Sequence, residues 1–205
     1  MRFLLSFLPL LALLCSPYSA AAAAATARKH TSQHNPASTL VRSSCLHATY
    51  PKICLRTLSD YAGPAKTPRD LAQASVSVSL ARARRVSGFL AQLSANFQGT
   101  KRQRSAIGDC VDLMSSSVDE LSETLGELQH LREETFRFQM SNAQTWLSAA
   151  LTDDDTCLDG IQEADVKAKA ADVKRKIKNA ARVTSNALYL INRLDEIRGR
   201  PRSRP

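Results

Sequence analysis

Apolar residues recur at steps of three and four along four long segments that follow residue 66, and this is the spacing of one face of an α-helix. The four series are Ala72, Val76, Leu80, Ala83, Val86, Leu90, Leu93 and Phe97; Val111, Met114, Val118, Leu121, Leu125 and Leu128; Phe136, Met140, Ala143, Leu147 and Leu151; and Val166, Ala170, Val173, Ile177, Ala180, Thr184, Ala187, Ile191 and Leu194. No segment alternates with the period of a strand. The pattern predicts an all-α fold with four long helices, which we number first to fourth.

The ends of these helices are also marked. The run TPRD at Thr67–Asp70 places a capping residue, a first-turn proline and an acid in helix-start order. No proline occurs between Arg69 and Arg200, so nothing interrupts the helices that follow. Short connections predict an antiparallel up-down four-helix bundle over residues 67–198. A short helical hairpin is predicted before it, over residues 44–62.

The first 25 residues have the pattern of a secretory signal peptide. Arg2 precedes an apolar run from Phe3 to Cys15, and small residues with A-x-A-like cleavage points follow. The run is too short to span a bilayer, and no later segment is long and apolar enough. We therefore expect a secreted protein with no membrane segment after cleavage. Residues 26–43 are expected to form a flexible arm, and residues 199–205 a basic disordered tail.

Four cysteines remain after the leader: Cys45, Cys54, Cys110 and Cys157. An even number in an oxidising compartment predicts two disulfides, for which three pairings are possible. Cys110 and Cys157 are equidistant from a point between Glu133 and Glu134, close to where the second helical series ends. Antiparallel helices that turn there would return both cysteines to the same height, which favours a Cys110–Cys157 bridge and leaves Cys45 for Cys54.

Charge is divided between segments of the chain. Residues 26–104 carry 13 basic and 2 acidic side chains, residues 105–165 carry 2 and 14, and residues 166–205 carry 12 and 3. The first and fourth long helices are thus basic, and the second and third acidic. Solvated faces and attraction between neighbouring helices would explain much of this. We also predict one continuous anionic face from two sets of carboxylates: Asp112, Asp119, Glu123 and Glu127; and Asp153, Asp154, Asp155 and Asp159.

Known site motifs are missing. A calcium loop read from Asp153 has Leu158 where glycine is needed and Ala164 where glutamate is needed. The four histidines have no metal-ligand spacing, and no phosphate loop, nucleophile elbow or dinucleotide fingerprint is present. We therefore predict no catalytic residue, metal or cofactor. For the basic half, a secreted protein favours a polyanionic polysaccharide over nucleic acid as the partner.

Three stretches together resemble the plant invertase and pectin methylesterase inhibitor family: SSCLHATYPKICLRTL, IGDCVDLMSSSVDEL and WLSAALTDDDTCLDG. The likeness extends over about residues 44–194, and the predicted inhibitor domain is residues 44–198. The resemblance implies a four-helix bundle behind a helical hairpin, with the two bridges paired as above. It also implies a cell-wall inhibitor that blocks its target enzyme by one-to-one contact and has no catalysis of its own.

The resemblance also bears on the target. Invertase-directed members carry a Pro-Lys-Phe motif between the third and fourth cysteines, whereas this chain has no proline between Cys110 and Cys157. The segment ETFRFQMSNAQTWLSAALT looks like that of the pectinesterase-directed members. Pectin methylesterase in the apoplast is therefore the expected partner, contacted over its substrate cleft by the second and third long helices. An acid-invertase inhibitor and a secreted binding protein without inhibition are the alternatives.

By the same resemblance, five residues align with the docking face of pectinesterase inhibitors. They are Asp112, Ser116 and Asp119 on the second long helix, and Thr156 and Asp159 on the third. We expect their polar groups to form charge-assisted hydrogen bonds with the rim of the enzyme. Demethylesterified pectin, held by the basic half, is a further predicted partner.

We expect reduction of both disulfides to abolish the cooperative fold. In the chain-entropy model the longer loop contributes roughly 4 kcal/mol and the shorter roughly 2.7 kcal/mol, against a typical domain stability of ~5–15 kcal/mol. Thermal unfolding followed by far-ultraviolet circular dichroism, with and without dithiothreitol, checks this. The pair Cys110→Ser/Cys157→Ser should lower the melting temperature more than Cys45→Ser/Cys54→Ser, and an unchanged transition after reduction would contradict the expectation.

Overall fold

The computed structural model describes residues 36–60, 65–166 and 170–199, which form helices joined by short loops. The helices are α1 (Pro36–Cys45), α2 (Pro51–Ser59), α3 (Pro68–Asn96), α4 (Lys101–Gln129), α5 (Phe136–Glu163) and α6 (Ala170–Gly199). No strand occurs in these ranges. The predicted all-α fold is therefore confirmed, with α1 and α2 as the hairpin and α3 to α6 as the first to fourth long helices.

The hairpin begins earlier than predicted. Helix α1 starts at Pro36, so residues 36–43, assigned from the sequence to a flexible arm, are helical. The reason is packing: Val41 is buried and belongs to a second apolar cluster with Leu58 of α2 and Leu71 of α3. Composition alone suggested disorder because polar residues outnumber apolar ones in this segment. Composition does not show that the few apolar residues pack against other helices.

Some predicted segments lie outside the described residues. They are the leader at residues 1–25, residues 26–35 of the arm and residues 200–205 of the tail. None of the described helices combines the length and the apolar character that crossing a bilayer requires.

Two helices begin with reciprocal hydrogen bonds that the sequence encodes locally. At the start of α3, the Thr67 hydroxyl accepts from the Asp70 backbone N–H at 3.2 Å, and the Asp70 carboxylate accepts from the Thr67 N–H at 2.9 Å. Thr100 and Gln103 form the same arrangement at the start of α4. Each pair satisfies backbone donors that a helix start leaves without an intrahelical partner. The predicted helix start at TPRD is confirmed.

The four long helices pack in a ring. Helix α3 contacts α4, α4 contacts α5, α5 contacts α6, and α6 returns to α3. Consequently the α4–α5 edge of the bundle lies opposite the α3–α6 edge. The hairpin packs against α3 and α6, where Asn186 of α6 bonds both backbone groups of Tyr50: its Oδ1 accepts at 2.8 Å and its Nδ2 donates at 3.1 Å.

The core of the bundle is built from the predicted apolar series. Among the described residues, ten large side chains of this core are almost completely buried, and most of them belong to those series: Leu90, Ile107, Met114, Leu121, Leu128, Met140, Leu147, Ile161, Ile177 and Ile191. Burial of one such side chain stabilises the fold by about 1.5–3 kcal/mol. The helical pattern in the sequence is thus explained by a shared interior.

The turn between α4 and α5 contains neither glycine nor proline, and one buried side chain organises it. The Gln139 amide oxygen accepts from the Arg132 backbone N–H at 2.9 Å and from the Thr135 hydroxyl at 2.8 Å. Its amide nitrogen donates to the His130 carbonyl at 3.0 Å. Gln139 is only 7 % exposed. The three hydrogen bonds of Gln139 therefore stabilise a turn that has no glycine or proline.

Helix α3 closes the same end of the bundle. The Arg69 guanidinium donates to the carbonyls of Leu128, Gln129 and Leu131 at 3.1, 2.8 and 3.3 Å. The carbonyls of Leu128 and Gln129 are among those that the end of α4 leaves without an intrahelical donor. A cation at a helix C-terminus also interacts favourably with the helix dipole. The guanidinium thus joins the start of α3 to the end of α4.

Both predicted disulfides are present. Cys45 bonds to Cys54 within the hairpin, and Cys110 of α4 bonds to Cys157 of α5, with Cα–Cα distances of 5.5 and 4.5 Å. The first bridge joins the last residue of α1 to the middle of α2. The second joins two antiparallel helices at equal distance from their turn, which agrees with the pairing favoured from the sequence.

We expect Gln139→Ala to lower the free energy of unfolding by about 2–3 kcal/mol. The substitution leaves two donors and an acceptor of the turn without partners in a partly buried setting, and an unpaired buried group costs roughly 1–3 kcal/mol. Urea unfolding measures the change. Gln129→Ala is the matched control, since this side chain is exposed at the end of α4 and should change stability by less than about 0.5 kcal/mol. Equal effects of the two substitutions would contradict the role of Gln139.

Candidate functional site

All five residues that the resemblance assigns to partner binding are exposed. Asp112, Ser116 and Asp119 lie on α4, and Thr156 and Asp159 lie on α5. The three positions on α4 are four and three residues apart, which puts them on one face of that helix. Their side chains are therefore available to a partner along the α4–α5 edge of the bundle.

The Cys110–Cys157 disulfide sets the heights of these residues. It joins the two antiparallel helices at one level. With a rise of 1.5 Å per residue, Asp159 and Asp119 mark the two ends of the candidate set, about 16 Å apart along the bundle axis. The bridge thus holds side chains from distant parts of the sequence in one fixed arrangement.

A groove of about 680 Å³ runs between α4 and α5 beside the disulfide. Its lining residues are Lys101, Arg102, Ser105, Ala106, Asp109, Cys110, Leu113, Thr156, Cys157, Gly160, Glu163 and Ala164. Of the five candidates, Thr156 lines this groove; the others lie outside it. The groove therefore adds Lys101, Arg102 and Asp109 to the polar groups near the candidate set.

Three carboxylates along this edge, those of Glu120, Asp153 and Asp155, have raised pKa values. Burial raises the pKa of Glu120 to about 7, and the neighbouring charges of Asp153 and Asp119 add to the effect. Burial also raises the pKa of Asp153. The pKa of Asp155 is raised mainly by burial and to a smaller extent by the charge of Asp159. The Glu120 Oε2 is buried and makes no hydrogen bond within the described part of the chain. The anionic character of this face thus increases as pH rises towards neutrality.

Asp154 contradicts the predicted anionic face. The sequence placed it with Asp153 and Asp155 on the surface, but its side chain is fully buried at the centre of the bundle. It accepts a hydrogen bond from Ser117 of α4 at 2.9 Å, and its second oxygen lies 3.2 Å from the Thr184 hydroxyl of α6. Asp154 therefore connects three helices inside the core.

The geometry around Asp154 suits a neutral carboxyl group. Burial raises the pKa of Asp154 to about 7, although the hydrogen bonds of Ser117 and Thr184 lower it in part. The Thr184 hydroxyl lies 3.1 Å from the Ala180 carbonyl, to which it donates its only proton. A protonated Asp154 can then donate to the Thr184 oxygen while it accepts from Ser117. All three polar groups are satisfied in this state.

The sequence does contain a signal for this network. From Leu147 the buried positions of α5 continue through Ala150, Asp154, Cys157 and Ile161, at steps of three and four. The predicted series ended instead at Leu151, which is only half-buried. The helical period therefore carries Asp154 into the core, and its place within a run of three aspartates concealed this.

No site for a metal ion is formed within residues 36–60, 65–166 and 170–199, where no three histidine, cysteine or acidic side chains converge. What the α4–α5 edge offers is hydrogen-bond acceptors and charge on a fixed surface. Such an arrangement can bind another macromolecule by complementarity.

Comparison with known proteins identifies relatives of this chain. The family model described as plant invertase/pectin methylesterase inhibitor matches residues 39–190. Pectinesterase inhibitor 3 of Arabidopsis thaliana is 53 % identical over 175 residues, which cover 82 % of this chain and 85 % of that protein. Pectinesterase inhibitor 9 of the same plant is 43 % identical over 167 residues, with coverage of 76 % and 80 %.

Solved structures share the fold. A crystal structure of a mutant form of a pectin methylesterase inhibitor from Arabidopsis superimposes with a TM-score of 0.61. The match covers 77 % of this chain and 96 % of that one, at 23 % sequence identity. At this identity the likeness establishes the architecture alone.

We expect Asp154→Asn to reduce the pH dependence of stability. A carboxyl whose folded-state pKa is raised contributes stability that is fully present below its unfolded pKa of about 4 and is lost as pH rises through about 7. Asparagine keeps the shape and stays neutral. From pH 5 to 7.5, the free energy of unfolding of the unsubstituted protein, measured in urea, should therefore fall by about 3 kcal/mol more than that of the variant.

Asp155→Asn is the control for this experiment. It makes the same chemical change at the next residue, whose side chain is exposed. The free energy of unfolding of this variant should still decrease between the two pH values by most of the amount seen in the unsubstituted protein. If Asp154→Asn has the same pH profile as the unsubstituted protein, Asp154 is not the group that titrates.

Proposed function

This chain belongs to the plant invertase/pectin methylesterase inhibitor family, and from this membership we propose that it inhibits pectin methylesterase by one-to-one binding. It is an enzyme inhibitor and not an enzyme. The observation that carries the choice of target is the 53 % identity to a pectinesterase inhibitor over most of both chains. The proposal includes secretion to the plant cell wall, which the predicted leader at residues 1–25 supports.

We propose that α4 and α5 form the docking surface and cover the substrate cleft of the enzyme. These helices have 29 and 28 residues. Two adjacent helices about 10 Å wide and about 40 Å long present roughly 800 Å², which is the area that each partner buries in a standard protein interface. The size of this edge is therefore adequate for a specific complex.

Rigidity supports the same choice. The disulfide, more than two turns after the start of α4, and the Gln139 turn between the two helices hold α4 and α5 together. A surface that is ordered before binding loses less conformational entropy on association. The surface of α4 and α5 presents five exposed polar side chains for contact: Asp112, Ser116, Asp119, Thr156 and Asp159. We propose that the carboxylates accept charge-assisted hydrogen bonds from the rim of the enzyme.

Acid invertase is the second candidate target because the family description includes it. Against it stands the segment between Cys110 and Cys157, which lacks the Pro-Lys-Phe motif typical of invertase-directed members. Pectin binding by the basic half is a separate proposal that does not depend on enzyme inhibition.

We expect the oxidised mature protein to inhibit a plant pectin methylesterase in a saturable, one-to-one manner near pH 5 to 6, and to leave an acid invertase active. Asp112→Ala/Asp159→Ala should raise the inhibition constant about 100-fold or more, since it removes two acceptors and each hydrogen bond to a charged group contributes about 1.5–3 kcal/mol. The variant should also weaken the salt dependence of binding.

Glu133→Ala/Glu134→Ala is the matched control for charge. It also removes two exposed carboxylates, but from the turn at the far end of the same helices, and we expect its inhibition constant to change by less than about threefold. An unchanged constant for Asp112→Ala/Asp159→Ala would exclude the proposed docking residues. Inhibition of invertase alone would overturn the target.

A further inference from the structure

A second groove lies between α3 and α6, on the edge of the bundle opposite α4 and α5. It has a volume of about 200 Å³ and is lined by Arg82, Arg85 and Val86 of α3 and by Arg175, Lys176 and Asn179 of α6. Four of these six residues are cations, and they occupy both walls. No part of the proposed enzyme-docking surface contributes to this groove.

Acidic residues are scarce around this groove. From Leu71 to the end of α3 there is no carboxylate at all, and the first half of α6 contains only Asp172. Asp172 forms ion pairs with Arg175 and, at 3.8 Å, with Lys176. Asp172 thus offsets part of the charge of two of the four cations, and the groove keeps an excess of positive charge.

Local contacts hold several of these side chains in place. The Arg85 Nε donates to the Ala81 carbonyl at 3.1 Å. The Lys176 ammonium lies 4.8 Å from the centre of the Phe89 ring, where the cation–π attraction orients it. Arg85 and Arg175 remain exposed. Local contacts therefore position Arg85 and Lys176, and the exposed Arg85 and Arg175 are accessible to an anion.

The chemistry of the groove suits repeated carboxylates on a sugar chain. Guanidinium groups bind carboxylates through two parallel hydrogen bonds, and the ammonium acts as a point charge. The Asn179 side chain has both a donor and an acceptor for hydroxyl groups. Cations on both walls favour an extended anion with several charges over a small one, because a chain can contact several of them at once.

We propose that the α3–α6 groove binds a carboxylate-bearing polysaccharide, namely demethylesterified galacturonan. The choice of pectin as the source of carboxylates rests on the proposed function, but the binding itself does not require inhibition. Because the groove and the α4–α5 edge lie on opposite sides of the bundle, one molecule can hold the polysaccharide and the enzyme together. The inhibitor would then accumulate where its target has produced free carboxylates.

The test uses the oxidised full-length mature chain and three variants. Two of the variants each remove three positive charges, and the third removes none. The groove variant is Arg85→Gln/Arg175→Gln/Lys176→Gln. The control is Arg42→Gln/Lys52→Gln/Arg56→Gln, which removes three exposed cations from α1 and α2. A conservative variant, Arg85→Lys/Arg175→Lys, keeps the charge. Binding is measured by biolayer interferometry at low salt on polygalacturonate and on its fully methyl-esterified form.

We expect the unsubstituted protein to bind polygalacturonate and to bind the methyl-esterified chain at least about tenfold more weakly, since esterification removes the charge. The groove variant should lose roughly tenfold or more in affinity for polygalacturonate, and the control less than about threefold. The conservative variant should have an intermediate affinity because lysine cannot make the paired hydrogen bonds.

Equal losses in the groove variant and the control would overturn the proposal, because total charge and not this groove would then determine binding. Equal binding to the two polysaccharides would overturn the carboxylate chemistry. In a parallel measurement without polysaccharide, the groove variant should bind immobilised pectin methylesterase as the unsubstituted protein does. If the unsubstituted protein does not bind the enzyme, the proposed function is refuted, whereas the polysaccharide result is unaffected.

Discussion

The disulfide between Cys110 and Cys157 is the constraint on which the candidate docking surface depends. It joins α4 and α5 at one height, so the relative position of every side chain on the two helices follows from it. Hydrophobic packing alone fixes helix register less strictly, because neighbouring ridges and grooves resemble one another along a bundle. A covalent bond at one end and the Gln139 network at the other leave a single register.

The same helices meet around Asp154, where an acidic group replaces part of the apolar core. Its bonds with Ser117 and Thr184 join α4, α5 and α6, and its raised pKa keeps it neutral at acid pH. A buried polar group stabilises a core only when its partners are present, so it specifies which helices pack together. Protonation of Asp154 at acid pH removes the cost of a buried charge.

Charge in this protein is sorted by helix, and the ring order of the bundle turns that sorting into two opposite surfaces. The acidic α4 and α5 are neighbours, and so are the basic α3 and α6. The enzyme and the polyanion that we propose as partners would therefore meet opposite edges of the bundle. Attraction between the unlike helices in contact, α3 with α4 and α5 with α6, contributes modestly to the fold because exposed charges are screened by water and salt.

The amino-acid sequence by itself determined the helices, their order and the disulfide partners, because helical period, the helix-start residues at Thr67 and the spacing of the cysteines are local or nearly local properties. The docking residues on α4 and α5 come from the family resemblance and stay a prediction. Only the tertiary structure decided that residues 36–43 are helical, that Gln139 and Arg69 complete a turn without glycine or proline, and that four cations of α3 and α6 share one groove. The difference is physical: a residue's spacing shows which face of a helix it occupies, whereas its burial depends on what packs against that face. Asp154 belongs to the same acidic run as Asp153 and Asp155, and only the approach of α4 and α6 makes it part of the core.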